Sequence, residues 1–300
     1  MSFMKKLWRF RALILMALPG FLILFFFDYM VMGGLVLAFK DFDYSLGILN
    51  SPWSGLDNFK FLIASRSTFF TITRNTLMYY VIFTVTGMIL EISLAIAMDQ
   101  LVFKRVGKVM QSIFVIPVFI SFTAVQFIVY AFLSPDMGMI NHLFGLSVRW
   151  YLEAKYWPVI LTIVKLWSST GYGAVLYMSV LAGIDPELYE AAQMDGAGKW
   201  QQIWHITLPL LKPMVTIMLL LSVGGIMHSD TGLFYQVTRN SGSLYNTTQV
   251  LDSYILNAVF HNADFGFTAA ASFFQSVVGA ILILLANAAV RRINPDDSLF

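Results

Sequence analysis

Three ionisable residues stand inside runs that are otherwise apolar: Asp28, Glu91 and Lys165. A charge held in hydrocarbon costs about 2.5–3.5 kcal/mol, so each needs a partner, water or a task. At about 1.5 Å per helical residue, Asp28 lies ~16 Å from the outer end of its run and Lys165 ~13 Å from the outer end of its own. Glu91 lies ~28 Å from the outer end of its run, near the cytoplasmic side. Depth therefore predicts an ion pair between Asp28 and Lys165. Two roles stay open for it: glue between helices, or charges lining a polar cavity.

Other residue types that do chemistry are scattered. His142, His205, His228 and His261 show no HExxH or other metal-binding spacing, and no metal site is expected. Gly196-Ala197-Gly198-Lys199-Trp200 resembles the end of a phosphate loop. Gln193 stands where the first glycine belongs and Trp200 where Ser or Thr should hold magnesium, so nucleotide binding is not expected here. No serine–histidine–aspartate pattern has a catalytic context. The chain reads as a non-enzyme with no cofactor of its own.

The elements that must position these residues follow from composition. The 300 residues are 58% hydrophobic and only 12% charged, with mean hydropathy +0.72. A soluble domain carries about 25% charged residues, so half that share with long apolar runs points to an integral membrane protein. The net charge of +2 offers no basic stripe for nucleic acid, and the absence of cysteine excludes a disulfide framework. A basic start, MSFMKKLWRFR, leads into an apolar run too long for a signal peptide's core of about 7–15 residues.

A membrane helix needs about 20 mostly apolar residues, and six segments qualify: roughly 12–39, 72–99, 109–133, 156–182, 209–228 and 267–290. With the N-terminus inside, cytoplasmic stretches hold 11 Lys and Arg residues against 6 outside, with Arg74 and Lys165 within helices. Positive residues collect on the cytoplasmic side, which favours N-in, C-in topology. The expected fold is an all-α membrane protein of six transmembrane helices. Residues 1–11 and 291–300 would be cytoplasmic tails around a membrane domain over 12–290. The external stretch 229–265, mixed polar and aromatic, could cover the mouth of a cavity.

Between the fourth and fifth helices lies a polar island, 184–209. Asp185-Pro186-Glu187 has the residue types of a helix start: a capping side chain, a proline at the first turn and an acid near the positive dipole end. Leu188 to Met194 continues that helix and Asp195-Gly196 stops it. Ala197 to Thr207 makes a second short helix, which Leu208-Pro209 should end. Such an elbow is either an amphipathic connector lying on the membrane or a surface for another protein, which small Ala191 and Ala192 would let approach closely.

The run Glu190-Ala191-Ala192, then Asp195-Gly196-Ala197, Ile206, Leu208-Pro209 and Pro213 resembles the EAA signature of permease subunits of binding-protein-dependent ABC importers. Gly138-Met139-Ile140-Asn141 and Leu18-Pro19-Gly20 agree with it. The chain is most similar to sugar-uptake permeases of the maltose-transporter type, in the branch handling oligosaccharides or larger glycans. The resemblance implies a coupling helix seated on a cytoplasmic ATPase, with Glu190, Ala191, Ala192, Asp195, Gly196, Leu208 and Pro209 in the coupling region. It implies a second, homologous permease subunit, two ATPase subunits holding ATP and magnesium, and an extracytoplasmic solute-binding protein, in a bacterial plasma membrane. An ion-coupled secondary transporter is the alternative; it would leave the elbow without a task.

A sugar path needs aromatic faces and hydrogen-bonding groups. On the helices that line the cavity in this family, the candidates are Gln126 and Tyr130, then Trp167, Ser168, Ser169 and Tyr172, then His228 and Gln275. The Ser168–Gly173 cluster could bend its helix and open backbone to water. It could equally be a helix-packing face, with the aromatics in an interfacial belt.

Overall fold

The computed structural model describes residues 8, 10–60, 66–101, 104–262 and 264–293. Most of the two expected tails, 1–11 and 291–300, lies outside these. Among the described residues the chain is helical, with one isolated bridge between Lys40 and Trp53. It divides into two compact units, residues 1–66 with 257–274, and 67–256 with 275–300.

In the first unit, α1 (Arg11–Leu24) continues through a π turn and a 3-10 segment to Phe39, a single apolar span. Its end is fixed by two side chains. The Lys40 ammonium is buried and donates to the carbonyls of Ile48 and Leu49 at 2.9 and 2.6 Å, beside the Trp53 ring. Asn58 donates to the carbonyls of Leu37, Ala38 and Lys40. Carbonyls at a helix end have few backbone donors, and Asn58 adds to the Lys40 N–H that already reaches Leu37. The rings of Phe39, Phe59 and Phe273 pack about this point.

The second unit holds α2 (Arg66–Asp99), α3 (Lys104–Val115), α4 (Phe122–Leu133), α5 (Met139–Phe144) and α6 (Trp157–Leu181). The elbow follows as α7 (Pro186–Met194) and α8 (Lys199–Gln202), then α9 (Leu208–Gly224) and α10 (Leu251–Asn257). The last helix, α11 (Phe265–Ile293), runs through both units.

Among the described residues five helices are long and apolar enough to cross a membrane, and there is a sixth span if one bent pair is counted as one. The bent pair corrects the expected straight helix over 109–133. The arms Arg105–Phe119 and Phe122–Leu133 meet at 99°. Pro117 lies at the start of a 3-10 turn, and Ile120 and Ser121 are extended, so the helical bond ladder is interrupted there.

The fifth span also differs. It begins at Lys199 rather than near residue 209, so the elbow's second helix is fused to it. Leu208-Pro209 does not stop the helix. A π turn over Ile203–Thr207 precedes it, with the Leu208 N–H on the Ile203 carbonyl, and Pro209 falls in the first turn of α9, where a missing N–H is tolerated.

The stretch after α9 packs into the core. Leu233, Phe234, Val237, Leu244 and Val250 are buried with Tyr79, Val129, Leu133, Trp157 and Leu161. Polar residues of α2 meet its backbone. Asn75 donates to the carbonyls of Asn246 and Gln249 (3.2 and 3.0 Å), Tyr79 donates to Thr247 (2.8 Å), and Thr76 accepts from the Leu251 N–H (3.0 Å). This is why α2 carries buried polar residues: backbone in an apolar surrounding must find donors and acceptors inside the protein.

Candidate coupling and substrate-path sites

The elbow is shaped by its own residues. The Asp185 carboxylate accepts from the Glu187 N–H at 3.0 Å, and Pro186 takes the first turn, where no donor is missed. At the other end the Ala197 N–H reaches the Ala192 carbonyl at 2.9 Å and the Gly196 N–H the Gln193 carbonyl at 3.0 Å. That pattern needs a left-handed residue, and Gly196 supplies it with φ +82°. The Tyr189 and Thr207 hydroxyls meet at 3.0 Å, and the buried Gln202 amide donates to the Ala197 carbonyl at 3.0 Å. The two arms are therefore locked at a fixed angle.

Glu190, Ala191, Asp195, Gly196 and Pro209 are exposed on this elbow, while Ala192 and Leu208 are half-buried. Ala192, Asp195, Gly196, Gln201 and His205 line a shallow cleft of about 330 Å³. Glu190 and Ala191 of the EAA run thus form a low surface on a braced turn.

The carboxylate partner of Lys165 is Asp230, at 3.6 Å; Asp28, the partner that depth predicts, belongs to the other compact unit. Asp28 is exposed. Asp230 follows the apolar run 209–228 and so falls in the expected external stretch, where helix depth gives no measure. The Asp230 carboxylate also accepts from the Leu233 N–H.

The Ser168–Gly173 cluster is a packing face. α6 is continuous through it, and the Ser168 and Ser169 hydroxyls both donate to the Lys165 carbonyl at 2.9 Å. A Cβ at Gly171 would fall 1.8 Å from the Phe114 carbonyl oxygen, and one at Gly173 would fall 2.2 Å from the Glu91 carboxyl carbon. These glycines let α3 and Glu91 approach α6, which favours the packing face of the two alternatives. Ser168 is buried, whereas Trp167 and Tyr172 are exposed on the same helix.

Gln275 is buried and occupied. Its amide donates to the Met227 carbonyl at 2.7 Å and to the Asp252 carboxylate at 3.0 Å. Asp252 also accepts from the Ser229 N–H and faces the His228 imidazole at 3.6 Å. That contact raises the affinity of His228 for a proton, mainly through its hydrogen bond with Asp252, while partial burial opposes it. Asp230 is marked in the sequence only by its place just after the apolar run 209–228, and nothing local marks Asp252. Gln126 is half-buried, and Tyr130 and His228 are exposed. Among the described residues no three His, Asp or Glu side chains gather as a metal site would require.

Residues 91–296 match the family described as binding-protein-dependent transport system inner membrane component. The chain belongs to that family. It is 30% identical over 295 residues to the polygalacturonan/rhamnogalacturonan transport system permease protein YteP of Bacillus subtilis (strain 168), covering 97% of this chain and 91% of that one. Its fold is similar to a chain of a bacterial ABC transporter involved in import of the acidic polysaccharide alginate, with TM-score 0.86 and 30% identity over 97% of this chain and 98% of that one. A second structure of a bacterial alginate transporter, in complex with an alginate pentasaccharide-bound periplasmic protein, gives TM-score 0.85 at the same identity and coverage. The permease family accounts for the long apolar helices.

Proposed function

We propose that this permease is one of two transmembrane subunits of an ATP-driven importer for an oligosaccharide or larger glycan. The observation that carries the proposal is the elbow: Glu190 and Ala191 of the EAA run lie exposed on a braced turn, inside the segment that matches the family. The relatives named above handle polysaccharides, which supports the carbohydrate assignment.

In this reading α7 seats in a groove of a cytoplasmic ATPase. Glu190 makes a polar contact there, Ala191 and Ala192 permit close packing, and Gly196 sets the turn. ATP and magnesium are bound by two partner ATPase subunits, whose closure drives the two elbows together. The helices then switch between outward- and inward-facing states. A second permease completes the path and an extracytoplasmic solute-binding protein delivers the glycan, as the complex of the alginate transporter suggests. The elbow and both termini lie in the cytoplasm of a bacterial cell. Tyr130, Gln126, Trp167, Tyr172 and His228 remain candidates for the path, while Ser168, Ser169 and Gln275 brace it.

The test is uptake of labelled glycan into proteoliposomes containing the assembled complex. Uptake that requires ATP and survives collapse of ion gradients supports the reading. Uptake that follows an ion gradient without ATP overturns it.

A further inference from the structure

Arg239 and Asn240 are consecutive non-glycine residues with left-handed backbone, φ 54° and 48°. Asparagine tolerates this region; for arginine it is uncommon, and such outliers persist where the surroundings hold them. The hold is visible. The N–H groups of Arg239 and Asn240 donate to the carbonyls of Gln236 and Tyr235 at 2.9 Å each. The Tyr245 hydroxyl donates to the Asn240 side-chain oxygen at 3.0 Å, and the Ser241 hydroxyl to the Tyr151 carbonyl at 3.1 Å.

The turn places the Arg239 guanidinium 4.3 Å from the centre of the Tyr130 ring. Tyr130 rests against Tyr151, and Tyr151 against Trp157. Trp157 opens the 25-residue α6, whose far end leads to the elbow. The platform is therefore ~36 Å from the elbow end of that helix. Arg239 is exposed and makes no ion pair among the described residues.

An exposed arginine on a tyrosine is ordinarily a weak surface contact. Here a braced, left-handed turn fixes the guanidinium, and no acid neutralises it. A guanidinium fork matches a carboxylate in two parallel hydrogen bonds, and the hydroxyl of the tyrosine beneath it can hydrogen-bond a sugar oxygen. We propose that Arg239 and Tyr130 form a subsite for the carboxylate of a uronate residue, at the end of the path remote from the elbow. The subsite rests on the carbohydrate-import reading and narrows its substrate to acidic glycans.

The test uses the whole complex with its binding protein in proteoliposomes. Uptake is compared for an oligouronide and for the same chain with its carboxyls reduced to alcohols. R239Q should lower oligouronide uptake about tenfold below saturation, the size of one lost charge-assisted contact, and change the reduced glycan less than about twofold. R239K should fall between, because lysine keeps the charge and loses the fork. Equal effects on both glycans, or none, contradict the subsite. If the wild type carries only the oligouronide, the order wild type above R239K above R239Q supports it and any other order contradicts it. If R239Q fails to assemble, R239K decides alone, and undiminished oligouronide uptake contradicts it. Transport of the reduced glycan alone removes the subsite but not the importer. If neither glycan is carried, the carbohydrate reading fails and the subsite falls with it.

Discussion

The Lys165 ammonium lies 3.6 Å from a carboxylate oxygen of Asp230, joining the middle of α6 to the segment that leaves α9. Both side chains are about one-third exposed, 29% and 34%, so the pair is neither sealed nor fully hydrated. Removing one partner of such a pair leaves a charge without its counter-ion, which costs more than removing both. K165M and D230N should each lower the thermal midpoint of the purified complex, by about 1–2 kcal/mol of stability, and the double variant should recover most of it. Additive losses in the double variant would show that the two residues act separately.

Gly171 and Gly173 separate two kinds of close approach. G171A must displace the Phe114 backbone, whereas G173A need only move the end of the flexible Glu91 side chain. Overpacking against rigid backbone costs about 1–3 kcal/mol or more. G171A should therefore reduce the yield of assembled complex sharply and G173A only mildly. Comparable yields for the two would mean that α3 shifts away from α6 without cost.

His228 should make stability depend on pH. Its folded value is raised by Asp252, so the contact with a charged imidazole is complete below about pH 6.5, the ordinary histidine value. The contribution fades as pH rises through the raised value. The thermal midpoint of wild type should exceed that of H228Q in mild acid, and the gap should close in alkali. A gap that widens with pH would require a neutral imidazole to be the favoured form.

The elbow's turn depends on one residue. Proline fixes φ near −65°, while Gly196 stands at +82°. G196P should therefore lose uptake about tenfold or more while membrane insertion is kept, and E190K should do the same by reversing a charge at the coupling surface. Measuring insertion by protease protection alongside uptake separates a coupling defect from a folding defect.

Much of this was written plainly in the chain. Run length located the spans over 11–39, 67–99, 154–181 and 265–292 to within a few residues, because hydrocarbon thickness leaves little choice of length. Asp185, Pro186 and Gly196 marked the elbow because capping and left-handed turns are local chemistry. The bend at Pro117 and Ser121 escaped because hydropathy averages over a break that keeps apolar residues on both sides. The role of Asp230 and Asp252 escaped because it depends on a segment folding back into the core, and the Asn75, Tyr79 and Thr76 bonds that hold that segment span more than 160 positions. Ser168, Ser169 and Gln275 have the composition of ligands, and only the structure shows their donors occupied.

The central claim is that the elbow couples this permease to an ATPase, and co-purification tests it most directly. The tagged chain would be extracted in mild detergent and its stoichiometric partners identified by mass spectrometry, for wild type and for the double variant E190K/G196P. Recovery of a second permease with an ATPase from wild type, and of the permease pair without the ATPase from the double variant, is the predicted result. A wild-type chain recovered alone or only as a homodimer, or an ATPase retained undiminished by the double variant, would contradict it.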